Sequence, residues 1–256
     1  MPSTLPSDEF SRMYNYMSRP ELANIQFLQS YVQEVLQPLT QLPSSHFSTI
    51  LDLAAGRGET SSALASIFPQ AKIFTSDLNP DAMNVALTAD QRLHALIASA
   101  EKLPIVDLSV DLAHCKDALA HILDRKLFFA EIYRVLKHGG YCVIAFSEVK
   151  NNVYQQQAFS RIRTQRMFNS VDQYIQVVNM VQEINQQQKF QIKIGPPFFK
   201  TQATELKMDV HPGLVLVQES TWQPQSLELP KDWYQKMDDD GNLVAVPRLI
   251  WILQKT

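Results

Sequence analysis

Cysteine is nearly absent from this chain, and with Cys115 and Cys142 as its only thiols neither a disulfide framework nor a metal-ligand spacing can be built. Both sit in strand-like apolar runs, which suits a reducing, cytoplasmic setting and gives no reason to expect a metal. Basic charge is scarce too: the net charge is −3, and the only cluster, Arg161, Arg163 and Arg166, has the helical spacing of a solvated face. A broad electrostatic footprint for nucleic acid is therefore missing. No apolar stretch reaches the ~18 residues of a membrane helix, and Met1-Pro2-Ser3-Thr4 lacks a basic region followed by an apolar one. The expectation is a soluble, unexported protein with no membrane partner. Internal repeats are absent, and Asp238-Asp239-Asp240-Gly241 lacks the alternating ligand spacing of a calcium loop and reads as a turn.

What is present suffices for a self-supporting fold. With 256 residues, 45% of them hydrophobic and 19% charged, the chain can bury one large core or two modest ones. Residues 9 to 18 and 21 to 36 read as helices, the second with Leu22, Ile25, Leu28, Tyr31, Val32 and Leu36 recurring on one face. They form an amino-terminal helical arm over residues 1 to 40. From Thr49 strands and helices alternate: strands at 49–53, 72–77, 94–99, 110–115 and 141–146, with helices at 59–68, 80–90 and 124–136. Asn79-Pro80-Asp81 supplies an N-cap, a proline at the first helical position and an acid in the first turn. The helix from 124 is expected to turn Leu127, Phe128, Ile132, Val135 and Leu136 inward and to stop at Gly139-Gly140. Strands at 214–218 and 249–253 close the pattern. The expected fold class is α/β, a Rossmann-like, doubly wound, mostly parallel seven-stranded sheet over residues 47 to 256. A helical segment at about 151–188 is either a lid or an ordinary sheet cover.

In such a sheet ligands bind beyond the carboxyl ends of the strands. There Leu51-Asp52-Leu53-Ala54-Ala55-Gly56-Arg57-Gly58 runs from a strand into a glycine turn, where backbone can approach a cofactor with no Cβ in the way. A dinucleotide fingerprint starting at Gly56 would need a third glycine at position 61, which is Ser61, and no Gly-Lys-Ser or Gly-Lys-Thr follows for a P-loop. What remains is a cofactor without a phosphate.

Leu51 to Gly58 resembles motif I of class I S-adenosylmethionine-dependent methyltransferases, with the family's acid at Asp52 and its glycines at Gly56 and Gly58. Asp77, before Leu78-Asn79-Pro80, resembles the acid that binds the ribose hydroxyls. Ala98-Ser99-Ala100-Glu101-Lys102-Leu103-Pro104 is similar to the family's Gly-Asp-Ala-Glu-x-Leu-Pro, whose acid approaches the adenine amino group. Asp111 to Ile122 resembles the fourth-strand motif, and Glu131 to Gly140 the family's Glu-Ile-x-Arg-Val-Leu-Lys-Pro-Gly-Gly. The resemblance covers residues 49 to 147 in order. It implies S-adenosylmethionine as cofactor, held by Asp52, Ala54, Gly56, Gly58, Asp77, Leu78, Ser99, Ala100 and Cys115. Two positions depart from the pattern: Ala54 stands for the first glycine of motif I, and Ser99 for the adenine acid.

The reaction implied is displacement at a methyl group activated by a sulfonium, so alignment and exclusion of water dominate and a base is needed only for a protonated nucleophile. His121, just beyond the fourth strand, is the candidate catalytic base, or else a locally packing histidine. Lys116 and Asp117 either line the substrate side or face solvent, and Tyr14 and Tyr16 either close over the cofactor or pack. The expected acceptor is a small molecule, with residues 1–40 and those after 150 forming its pocket; a homodimer is possible. Alternatives are an RNA or protein methyltransferase, against which the weak basic character and the missing Asn-Pro-Pro-Tyr-type motif count, and a non-catalytic methyltransferase-like regulator.

Overall fold

The computed structural model describes residues 25–40, 46–147, 167–168, 171–187, 198–199, 201–222, 235–237, 243–245 and 248–256. The helix expected at 9–18, Tyr14, Tyr16, the arginine cluster at 161–166, much of the 151–188 segment and the Asp238–Gly241 turn lie outside them. Among the described residues no helix is long and apolar enough to cross a membrane.

Helix α1 (Ile25–Thr40) precedes an alternating series: β1 (Thr49–Leu53), α2 (Glu59–Ile67), β2 (Lys72–Asp77), α3 (Pro80–Ala89), β3 (Leu93–Ile97), β4 (Val110–Lys116), α4 (Arg125–Val135) and β5 (Leu136–Phe146). Short pieces follow, β6 (Met167–Phe168), α5 (Val171–Gln187), β7 (Phe198–Phe199) and α6 (Ala203–Leu206), then β8 (Leu214–Trp222), β9 (Gln235–Met237), β10 (Leu243–Ala245) and β11 (Arg248–Lys255). One seven-stranded sheet has the order β3-β2-β1-β4-β5-β11-β8. Its first five strands are parallel, and β11 runs antiparallel to both β5 and β8. The expected seven-stranded, mostly parallel architecture is thus the observed one.

Central strands of this kind are buried on both faces and so read as nearly continuous apolar runs. In β1, Ile50 belongs to the core on one side of the sheet while Leu51 and Leu53 belong to that on the other. Helix α1 is built into the first of these cores: Leu28, Tyr31, Val32, Val35, Leu36 and Leu39 are all buried against residues such as Phe47, Leu64 and Phe68. Local signals begin the other helices. The Asn79 side chain accepts from the amides of Asp81 (2.9 Å) and Ala82 (3.4 Å) ahead of Pro80, and Asp124 accepts from Leu127 N at 3.0 Å.

Two expectations need correction. Leu127 is 52% exposed, and Phe129 is buried in its place: Phe128, Ile132 and Val135 lie along the inward stripe of α4, Phe129 joins it one turn before Ile132, and Leu127 falls beyond the stripe's edge. Gly139 and Gly140 do not stop α4, which ends at Val135; they lie inside β5. The β4–β5 register shifts between Val110 and Leu112, and a Cβ on Gly140 would stand 2.9 Å from the Lys137 carbonyl oxygen and 3.1 Å from that of Asp111. The pair therefore serves a strand irregularity, with Gly139 at φ +75°.

Lys116 and Asp117, at the carboxyl end of β4, are mostly buried and bound to each other rather than turned to solvent. Asp117 adopts φ +57°, donates its amide to the Ala145 carbonyl (2.8 Å), and pairs with Lys116 Nζ (2.7 Å) and Arg248 Nε (3.1 Å). Arg248 opens β11 and is buried, so this pair ties β11 to β4 across the end of β5. The neighbouring Arg248 and Lys116 charges hold the Asp117 carboxyl below the ordinary carboxylate range against the opposing effect of burial. Asp117→Asn, which takes the carboxylate away from a buried guanidinium, is expected to lower stability by about 3 to 5 kcal/mol in urea denaturation near neutral pH. Because the folded pKa is depressed, the pair's contribution is complete above the unfolded value of 3.8 and is lost as pH falls below it. The difference between wild type and variant should therefore shrink on acidification.

Candidate cofactor site

The order of strands reverses between β1 and β4, which opens a crevice beyond their carboxyl ends. The turn after β1 fills one side of it. Ala54, Gly56 and Gly58 have φ of +51°, +57° and +78°, and the turn is fixed by Ala55 N donating to Ser76 O (2.9 Å) and Gly58 N to Ala55 O (3.0 Å). Ala54 is thus a Cβ-bearing residue in a left-handed conformation that costs roughly 1 kcal/mol, at the place where the resembled motif has glycine.

The two glycines have different functions. A Cβ on Gly56 would meet nothing within 4 Å, so its α-carbon borders open space. A Cβ on Gly58 would stand 2.7 Å from Ala86 Cβ, so Gly58 is there to let the start of α2 pack against α3.

Asp77, at the end of β2, links that strand to the turn: its carboxylate accepts from Gly56 N (2.8 Å) and Asn79 N (2.9 Å). Burial pushes this carboxyl up, while amide bonds from Asn79, Gly56 and Leu78 oppose the rise. Leu78 beside it is 43% exposed, and Ile97, its register neighbour's partner at the end of β3, is 63% exposed. Half-exposed Ser99 accepts from Glu101 N (3.1 Å), and the Glu101 carboxylate accepts from Asp124 N (2.7 Å) at the start of α4 while also bonding the Ser99 side chain. Glu131 and Arg134 hold the following segment, through Leu103 N to Glu131 Oε2 (2.7 Å) and Arg134 to the carbonyls of Leu103 (3.0 Å) and Ile105 (2.6 Å).

Ala54, Gly56, Asp77, Leu78 and Ser99 keep partial exposure beyond the carboxyl ends of β1, β2 and β3, whereas Asp52, Gly58, Ala100 and Cys115 are buried. Asp52 is 1% exposed because its side chain points into the sheet face that carries α1 and α2; Oδ1 lies 2.8 Å from His114 Nδ1, and Oδ2 accepts from Ser61 Oγ at 2.6 Å. Ala100 and Cys115 belong to the core on the other face, where burial pushes the Cys115 thiol well above its usual range. His121 sits in a short 3₁₀ turn, Leu119–His121, after β4, with its amide donated to Ala118 O at 2.8 Å.

Four further buried or half-buried polar side chains escaped the sequence reading. Glu59, at the first position of α2, is half-buried and its carboxyl is pushed up by desolvation, against the pull of Arg57 and Lys116. His114, Tyr31 and Arg248 were read as part of apolar runs or not at all; the signal for His114 was a lone polar residue among buried neighbours in β4.

The glycine turn with an open side at Gly56, the strand-end carboxylate bound to it and the absence of a phosphate-binding lysine fit a nucleoside cofactor without phosphates. This part of the chain is similar to known methyltransferase domains. Residues 51–144 match the family model described as a methyltransferase domain. Over 121 residues the chain is 31% identical to a ubiquinone/menaquinone biosynthesis C-methyltransferase of Syntrophotalea carbinolica, covering 45% of this chain and 51% of that protein. Over 93 residues it is 32% identical to a malonyl-[acyl-carrier protein] O-methyltransferase of Hahella chejuensis, covering 36% and 33%. The chain thus spans about half or less of the length of these relatives. The fold also superposes on a geranyl diphosphate C-methyltransferase of Streptomyces coelicolor, solved with Mg²⁺, geranyl diphosphate and S-adenosyl-L-homocysteine, with a TM-score of 0.54, 12% identity and all of both chains covered.

Substituting each glycine should separate their functions. Gly58→Ala is expected to cost about 1 to 3 kcal/mol of stability by overpacking Ala86, read from thermal or urea unfolding. Gly56→Ala should cost only about 1 kcal/mol of backbone strain, yet place a methyl group in the crevice and weaken cofactor binding in calorimetry.

Proposed function

We propose that this chain transfers a methyl group from S-adenosylmethionine to a small-molecule acceptor. The observation that carries this reading is the Asp77 carboxylate bonded at 2.8 Å to the Gly56 amide at the strand-order switch point. Asp77 would receive the ribose hydroxyls on its remaining lone pairs. Leu78 would lie against the adenine, Ser99 would offer it a neutral hydroxyl in place of an acid, and Ala54 and Gly56 would allow close backbone approach. Asp52, Gly58, Ala100 and Cys115 support the same site from beneath.

When bound, S-adenosylmethionine supplies a methyl group already activated as a sulfonium. The chain then has to orient the acceptor, exclude water and, where the acceptor atom carries a proton, hold that proton. His121 is the group assigned to it. The relatives include a carbon and an oxygen methyltransferase by name, so the acceptor is proposed at the level of a small molecule. Residues 1–40 and those after 150 are proposed to complete its pocket, with the 151–188 segment as lid or cover, in a cytoplasmic protein that forms a homodimer.

Calorimetry with S-adenosylmethionine tests the reading, and a chain that binds none at millimolar cofactor is not this enzyme. Asp77→Ala should weaken that binding by about 1 to 3 kcal/mol through lost charge-assisted hydrogen bonds. Wild-type affinity in this variant would remove the ribose assignment. His121→Ala should slow formation of S-adenosylhomocysteine from S-adenosylmethionine when a small-molecule extract supplies the acceptor, while leaving cofactor affinity nearly unchanged; unchanged turnover takes His121 off the catalytic list.

A further inference from the structure

Behind the glycine turn runs a chain of buried polar side chains of which only Asp52 has been given a part in the cofactor site. Tyr31 Oη on α1 lies 3.1 Å from His114 Nε2 on β4, and His114 Nδ1 lies 2.8 Å from Asp52 Oδ1 on β1. Asp52 Oδ2 accepts from Ser61 Oγ of α2 at 2.6 Å, and Ser61 Oγ is 2.9 Å from Thr75 Oγ1 of β2. Each of these residues is 0% or 1% exposed.

A carboxylate only accepts, so His114 donates to Asp52 from Nδ1, and with a neutral imidazole its Nε2 accepts from the Tyr31 hydroxyl. Every member then has a partner. Asp52 occupies the centre, Ser61 donates to the carboxylate and not to the imidazole, and no member reaches open space; the chain is not a nucleophilic triad.

Its location points to another task. Asp52 and Ser61 stand on either side of the turn that holds Ala54, Gly56 and Gly58 at positive φ, so the Asp52–Ser61 bond is a chord across the base of that turn. Strained backbone persists only where its surroundings over-determine it. We propose that Tyr31 and His114 are positioning residues for the cofactor: acting through Asp52 and Ser61 they hold the turn in the shape that presents the Gly56 edge, which makes α1 a support of the cofactor site. This rests on the cofactor reading above.

The test compares folded wild type, Tyr31→Phe and Ser61→Ala, with Val35→Ala as a control on the same buried face of α1 but outside the network. S-adenosylhomocysteine affinity is read by calorimetry, and the Gly56 and Gly58 amide resonances by NMR without ligand. Tyr31→Phe keeps the ring against Trp222 (centroids 5.0 Å apart) and removes only the hydroxyl. The expected result is a loss of affinity of about three- to tenfold in Tyr31→Phe and Ser61→Ala, with both glycine resonances displaced. Val35→Ala should lower the unfolding temperature and leave affinity and resonances as they are. Tyr31→Phe with wild-type affinity and unmoved glycine resonances, whatever its unfolding temperature, overturns the proposal. Should wild type itself bind no S-adenosylhomocysteine, the cofactor reading falls, and the glycine resonances alone decide whether the network shapes the turn.

Discussion

A carboxylate sealed between two strands of a sheet has to find its hydrogen-bond donors inside the protein, and Asp52 finds them on two different elements, His114 of β4 and Ser61 of α2. That requirement constrains much of the structure. Asp52 and His114 are register partners, so any slip of β4 along β1 would separate them and leave an unpaired charge. Ser61 has to arrive at the start of α2, which restricts how far the turn from β1 can swing. Tyr31 has to approach His114 from α1, which fixes where that helix lies across the sheet. Stability and site geometry therefore depend on the same few polar contacts.

The fold was legible where its signals are local. A buried strand, a glycine turn and a helix at 49–67 announce themselves by apolar run and breaker, and Asn79-Pro80 marks its helix within three residues. The position of Asp77 was legible for a related reason: an acid that closes an apolar strand just before a helix cap stands at the carboxyl edge of the sheet. Gly139-Gly140 misled because a glycine pair after a helical pattern reads as a cap, while the β4–β5 bulge that uses it depends on a strand some thirty residues earlier.

Much of the site was illegible because it depends on tertiary register. Whether a strand-end residue faces the crevice or the core is decided by which strand it pairs with, and Asp52 meets His114 across 62 residues of chain while Arg248 meets Asp117 across 131. Motif resemblance put Asp52, Ala100 and Cys115 among the cofactor residues without saying that their side chains are buried. The same holds for Gly56 and Gly58: one letter in the sequence covers an open edge in the first and a helix contact in the second.

The position of α1 in the core bears on the order in which the molecule assembles. Tyr31 waits 83 residues for His114, and β1 pairs with β4 only after β2 and β3 have been made, so the central strand lacks one neighbour until the chain has passed residue 116. Up to that point Asp52 and Tyr31 keep their water. Their dehydration belongs to the late, cooperative closure of a high-contact-order sheet, and the pocket takes shape in the same event that completes the core.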